Sequence, residues 1–474
     1  MRSDTIENVR QLAWLGQQAQ AIAAATEALG VGVGGRDPSP EQLVLLELRA
    51  GALVAQGRFE YAAHDADAML ALAASRPALQ VPALCCQALV LMRRGDNKRA
   101  LAAAEQAEAV AVQVQNAALH RQSLLCLAEA QLRAARHDAA LVTAGRAAGL
   151  FDAAGDRVPQ GRAHWIMAFA HTRRSDNAAS HSAAQRALEL ARQSGDGYGL
   201  ANALNVLSFS CADVAERLVL LQQAAQAFER AGHAYGHMLV VGNLSITFGE
   251  LGLWRRACRL GEQCIALAEG MGATLNEALE AGAVLSWKIE LGELAEARAR
   301  WSAYDALVTG LDEPLTHGDR GLWRIALALA EGDRDGALQQ LRSRLREVRA
   351  GNPGFELYVL IPLARVLLQK GQAAAALRAT RRGIALLRER GFARTGFGQS
   401  QDIWWWHSRA LVQAWLAESA RRGLPEARRL EHLRLPSSLA DPFKRLVDTG
   451  TRLNQLRDAD ELNHFLIDEV TELS

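Results

Sequence analysis

Lysine is almost missing from this 474-residue chain: Lys98, Lys288, Lys370 and Lys444 are the four that occur, so arginine carries nearly all of the positive charge. Aromatic residues make up 5%, and proline occurs 11 times. Cysteine occurs six times, too thinly for a disulfide scaffold. Cys85 and Cys86 are adjacent, and Cys258 and Cys264 do not have the spacing of a metal knuckle, so buried thiols in a reducing cytoplasm are expected. No charge sign dominates. Lys+Arg is 53 against 52 Asp+Glu, which argues against a basic nucleic-acid coat and against charge-driven disorder. No apolar run is long enough to cross a bilayer, so no membrane span is expected. The start of the chain lacks the apolar core of a secretory signal. What is abundant is alanine, within a 50% hydrophobic content. With the bias to arginine and glycine, it points to a GC-rich bacterial genome.

The alanines and glycines are periodic. A short turn followed five residues later by a small residue recurs as Gly16/Ala21, Gly57/Ala62, Gly95/Ala100, Ala135/Ala140, Ser175/Ser180, Gly252/Ala257, Gly292/Ala297, Gly332/Ala337 and Gly371/Ala376, with a degenerate copy near Asp213 and Leu218. Successive turns are spaced by about 40 residues, a period in the range of helical repeat arrays. Glycine ends a helix by adopting positive φ, and the small residue lets the returning helix approach closely. Gly155, Gly195, Gly232, Gly270 and Gly391 are expected to end the second helices. Between the breaks apolar spacing is helical, as in Ala183, Ala184, Ala187, Leu188 and Ala191, and no stretch alternates as a strand would. One helical hairpin cannot bury its apolar face alone, but about ten stacked hairpins can. The fold class expected is all-α, a right-handed α-solenoid of about ten antiparallel hairpins.

These residues resemble the tetratricopeptide repeat family, in which a small residue precedes the turn glycine. Ala88, Ser245 and Ala364 lie seven before their turns, as that pattern asks. The resemblance covers roughly residues 1–395 and departs in period, near 40 rather than about 34. It is similar to the longer-helix variants of bacterial regulators and peptide sensors. It implies a concave surface lined by the first helix of each hairpin, at positions about six, nine, ten and thirteen before the turn. That register selects Arg162, Trp165, Ile166 and Phe169, then Asn243 and Ile246, then Trp323 and Ala326, with Asn205 close to the same line. Family members that bind extended peptides hold the peptide backbone with asparagine from this register, which Asn205 and Asn243 match by position. Asparagine suits that task because it donates and accepts together. The Lys and Arg residues of a full carboxylate clamp are not evident beside them.

The glycines between Gly30 and Pro40 lack a preceding strand and a following Gly-Lys-Ser/Thr, so they read as an inter-helix loop rather than a phosphate cradle. Residues 396–436 are expected to cap the solenoid. Trp404, Trp405 and Trp406 cannot all face one core on a helix, so they read either as a cap or as a docking interface. From Lys370 to Arg434 there are 13 basic and 5 acidic residues, read as a solvated face or an acidic-partner surface. The tail, 437–474, resembles the entry of a GAF domain through Arg457-Asp-Ala-Asp-Glu-Leu462 and the apolar stripe Leu462, Phe465, Leu466, Ile467 and Val470. A capping helical hairpin is the other reading.

No HExxH, GxSxG, Walker or kinase motif occurs, so no catalytic residue, metal or cofactor is assigned. The function expected is a non-catalytic, cytoplasmic scaffold that binds a protein or peptide and regulates attached bacterial signalling domains. The alternatives are a small-ligand sensor arm of a transcription regulator and a structural module, including a homodimer. Neither membrane nor nucleic acid is an expected partner.

Overall fold

A computed structural model describes residues 2–30, 40–174, 176–211, 213–309, 314–351, 356–389 and 399–422. Among them are 21 α-helices and no strand. The first ten are α1 (Arg2–Trp14), α2 (Gln18–Gly30), α3 (Pro40–Ala55), α4 (Phe59–Ala73), α5 (Pro77–Arg94), α6 (Asn97–Val114), α7 (Ala117–Arg133), α8 (His137–Ala153), α9 (Arg157–Arg173) and α10 (Asn177–Ser194). Then come α11 (Gly197–Ser210), α12 (Val214–Arg230), α13 (Ala234–Glu250), α14 (Trp254–Met271), α15 (Thr274–Glu290) and α16 (Leu294–Thr309). The last are α17 (Pro314–Ala330), α18 (Arg334–Gly351), α19 (Glu356–Gln369), α20 (Ala373–Glu389) and α21 (Gln399–Arg421). Helices α1 to α20 form ten consecutive hairpins, as the period requires. The glycine-rich 31–39 segment and the whole 437–474 tail, including the GAF-like motif, lie outside the described residues.

The turns are built alike. Gly16, Gly57, Gly95, Gly252, Gly292, Gly332 and Gly371 all have positive φ. At each, the next residue's N–H donates to the carbonyl five residues back, as in Gln17 to Leu12, Arg58 to Leu53 and Gln372 to Leu367, at 2.8–2.9 Å. That bond satisfies a helix-end carbonyl and turns the chain back. Ala135 makes the same bond, Arg136 N–H to Gln131 O, with φ 58° despite its Cβ. The second helices end less uniformly. Gln115 takes one such place with φ 56°, and the left-handed residue after α14 is Gly272, whereas Gly270 lies within the helix. Gly391 lies outside the described residues.

The small residue after the turn is the packing point. Ala21, Ala62, Ala100, Ala140, Ser180, Ala257, Ala297, Ala337 and Ala376 are all completely buried. Ala88, Ser245 and Ala364 are equally buried, and Ser245 Oγ donates to the Ala257 carbonyl at 2.9 Å, joining the two registers across one hairpin. The degenerate copy differs: Leu218 is half-buried, and Asp213 instead caps α12 by accepting from Ala215 and Glu216 N–H.

The chain divides into two compact units, one of residues 1–244 and 262–280, the other of 245–261 and 281–474 as far as described. In the first, successive helices pack in order, and α3, α5, α7, α9 and α11 also pack each on the next. This unit returns upon itself. Gln18 Nε2 donates to the Ala231 carbonyl at 3.1 Å, and a Cβ on Gly16 would overlap the Arg230 carbonyl oxygen. The Phe59 and Tyr235 rings meet edge-on at 5.5 Å. In the second unit, α19 packs on α20 and α21, and Glu356 is buried between Arg349 (2.7 Å) and Arg382 (3.1 Å). Trp406 and Ile403 of α21 are buried, while Trp404 is exposed.

Two substitutions test this geometry by urea unfolding. Ala135→Gly is expected to stabilise by about 0.5–1 kcal/mol, because a left-handed Cβ is relieved at the cost of some chain entropy. Gly16→Ala is expected to cost more than Gly155→Ala, which meets open space at a similar positive φ. The second should cost about 1–2 kcal/mol, and the first also displaces the α12 end.

Candidate functional site

The first unit holds a partly open pocket of about 930 Å³. Its walls come from α1 (Arg10, Trp14), α3 (Leu48), α7 (Leu125), α9 (Arg162, Trp165) and α11 (Tyr198, Asn202). The odd-numbered helices supply the concave face because each hairpin presents its first helix inward. Helix α1 supplies the opposite wall, since the N-terminal hairpin docks against the end of α12.

Behind one wall lies a buried charge cluster. Glu129 of α7 is completely inaccessible. One carboxylate oxygen accepts from Arg93 of α5 at 2.9 Å, the other from Arg162 of α9. Burial by itself would push the Glu129 carboxyl up; the Arg162 and Arg93 guanidinia outweigh it and hold it well below the usual carboxylate range. Burial opposes ionisation of both arginines, and Glu129 reverses this, so both are held above their ordinary value. Arg93 is almost fully buried, stands over the Tyr235 ring at 5.5 Å, and its Nε and Nη1 have no hydrogen-bond partner. Arg162 differs: 37% of its side chain remains exposed, on the cavity side.

Neighbouring groups are neutral or already engaged. His233 is packed against Tyr198 (ring centroids 4.5 Å apart), and its Nδ1 accepts from the Gly236 N–H at 3.0 Å, capping α13. Burial, reinforced by the charge of Arg93, pushes its pKa down to about 3. Asp196 Oδ1 accepts from Gly199 N–H at 2.9 Å at the start of α11, and burial raises its pKa. Glu47, also raised by burial, accepts from Gln122 Nε2 at 3.2 Å.

The residues expected to form the groove divide. Arg162 and Trp165 line the cavity. Phe169 stacks on Trp165 at 6.3 Å and touches Phe209, so it supports the wall rather than forming it. Ile166 is wholly buried in the core, contrary to the register count. Asn243 Nδ2 donates to Asn205 Oδ1 at 2.8 Å, so the two asparagines bond each other. The asparagine that does line the cavity is Asn202, one helical turn earlier, because α11 stops at Ser210 and shifts the count from Asp213. Trp323 belongs to the second unit, half-buried against Gly282. Trp404 is exposed beside Arg388 (6.0 Å), Trp406 is buried, and the side chain of Trp405 is outside the described residues.

The sequence reading missed Glu129, Leu125, Gln122, Glu47 and Leu48. The register would have found them: counted from Ala135 and Gly57, they fall at the same distances before the turn as Phe169, Ile166, Trp165 and Arg162 before Ser175. Arg10 also falls on it, six before Gly16; Trp14 and Arg93 had no such signal. Among the described residues no group of three or more His, Cys, Asp or Glu is placed to hold a metal ion, and no described helix is long and apolar enough to cross a membrane.

The fold and cavity together define an all-α helical-repeat protein whose first unit closes around a pocket. No family model matches the chain, and no curated protein matches it. Solved structures do. A Rap protein complexed with competence and sporulation factor aligns over 83% of this chain and 99% of its own, at 12% identity and a TM-score of 0.42. NprR in complex with its cognate peptide NprX aligns over 81% and 99%, at 13% identity and 0.45. A signal transduction ATPase with a tetratricopeptide repeat sensor from Pyrococcus horikoshii aligns over 73% of this chain and 55% of its own, at 12% identity and 0.45. The likeness is distant in every case.

The charge cluster makes two predictions. Glu129→Gln leaves Arg93 buried without its counter-charge and should cost about 3–5 kcal/mol in urea unfolding. His233 is neutral in the folded chain down to about pH 3, whereas the unfolded chain protonates it near 6.5. Above 6.5 both states are neutral and the residue adds no pH dependence. As pH falls through 6.5 only the unfolded state gains the proton, so stability must fall between about 6.5 and 3. His233→Asn, which keeps a cap acceptor, should give a shallower stability loss between pH 6.5 and 4 than wild type; equal slopes would contradict the assignment.

Proposed function

We propose that this chain is a non-catalytic helical-repeat scaffold of the tetratricopeptide kind, which takes a peptide-sized ligand in the cavity of its first unit and so regulates a signalling partner in the bacterial cytoplasm. The observation that carries the reading is the pocket itself, partly open to solvent. It combines apolar and aromatic walls from Trp14, Leu48, Leu125, Trp165 and Tyr198 with few polar groups, Arg10, Arg162 and Asn202 among them. That is the make-up of a ligand pocket, where apolar surface supplies affinity and a few polar groups orient the ligand.

Its volume lies towards the upper end of the roughly 300–1,000 Å³ typical of such sites. A short peptide or a small molecule matches that volume, and a small-molecule sensor is the second reading. In either case binding regulates only if the ligand prefers one arrangement of the hairpins. Because α1, α3, α7, α9 and α11 all contribute walls, a bound ligand bridges hairpins that are distant in sequence. The asparagine pair, Trp323 and the tryptophan-rich α21 remain candidates for partner docking in this reading.

Affinity selection from a random hexapeptide pool tests it. Wild type is expected to enrich a peptide family that Asn202→Trp, which fills the cavity, does not retain at unchanged helicity. Enrichment kept by the filled variant would sink the cavity as the site. Absence of any enriched peptide would transfer support to the small-molecule reading.

A further inference from the structure

The charge of the cavity wall narrows the ligand class. Arg93, Glu129 and Arg162 form one contiguous group with two cations and one anion. The surplus cation is delivered at Arg162, whose guanidinium has one edge anchored on Glu129 and 37% of its side chain open on the cavity side. Two other carboxylates line the cavity. Asp196 accepts the Gly199 N–H at the start of α11 and also interacts with the charge of Arg162. Glu7 pairs with Arg10 at 3.6 Å. The aromatic neighbours on the same wall, Trp165 and Tyr198, add no charge.

We propose that Arg162 is the anchor for a carboxylate on an otherwise apolar ligand, with Glu129 and Arg93 as positioning residues that hold its guanidinium against the cavity wall. This deepens the cavity reading above and rests on it. A planar guanidinium fixed on one side offers its remaining N–H donors in a fork that matches a carboxylate. Its rotamer is set before the ligand arrives, so little ordering is left to be done on binding. The apolar body would then lie along Trp165, Leu125, Leu48 and Trp14. The asparagine pair of the sequence reading takes no part.

Dansyl-phenylalanine and dansyl-phenylalaninamide share one fluorescent apolar body and differ only in the carboxylate. Fluorescence titration of the full chain is expected to show the acid binding at least about tenfold more tightly than the amide. Arg162→Gln should bring that ratio to within about twofold. Arg162→Lys, which keeps the charge but not the planar fork, should retain a several-fold preference, and Arg186→Gln, at an exposed arginine outside the cavity, should leave the ratio as it is. Equal binding of acid and amide by wild type overturns the carboxylate assignment and leaves the cavity reading standing. A full preference surviving in Arg162→Gln also overturns it. Binding of neither probe counts against both. Circular dichroism and the thermal midpoint establish that each variant is folded; if Arg162→Gln is not, the wild-type ratio and Arg162→Lys decide.

Discussion

Every hairpin depends on a point where two helices cross with almost no side chain between them. Nine such points fall five residues after a turn, and all are fully buried alanine or serine. Interaxial distance is set by the side chains at the contact, so a larger residue would splay the hairpin and disturb its packing on both neighbours. Where the small residue is replaced, at Leu218, the hairpin changes: α11 is short, and Asp213 caps α12 directly. The exception shows what the rule does elsewhere.

Repetition of that crossing creates curvature, and in the first unit curvature leads to closure. The Gly16 turn meets the end of α12, and Gln18 bonds the Ala231 carbonyl from a helix far away in sequence. An open groove thereby becomes a partly closed pocket. Behind its wall the packed interior has a low local dielectric, which raises the stakes for every buried polar group. Glu129 shows the consequence: with no access to solvent, it is tolerable only because two arginines share it. Arg93 is then held inside and Arg162 at the cavity wall, so the same ion-pair group neutralises a buried carboxylate and places a cation at the cavity.

Much of the architecture was legible in the sequence. Turns, period, small residues and helix directions depend on interactions within a few residues, and a repeated pattern reveals them ten times over. The inward register was also legible, and it led to Arg162 and Trp165. It did not foresee that Ile166 goes to the core, or that Asn205 and Asn243 bond each other. Both share a cause. A count back from a turn gives a rotational position on a helix, but it does not say which neighbour lies there.

The sequence by itself determined an all-α chain of hairpins, with where each begins, turns and packs, because those choices are local: a φ sign, a Cβ too many, a helical stripe. Only the tertiary structure decided that α1 faces α9 and α11, that Arg93 and Arg162 converge on one buried carboxylate, and that Asn202 rather than Asn205 reaches the cavity. These depend on small rotations between successive repeats, which accumulate along the chain and are written in no single segment of it.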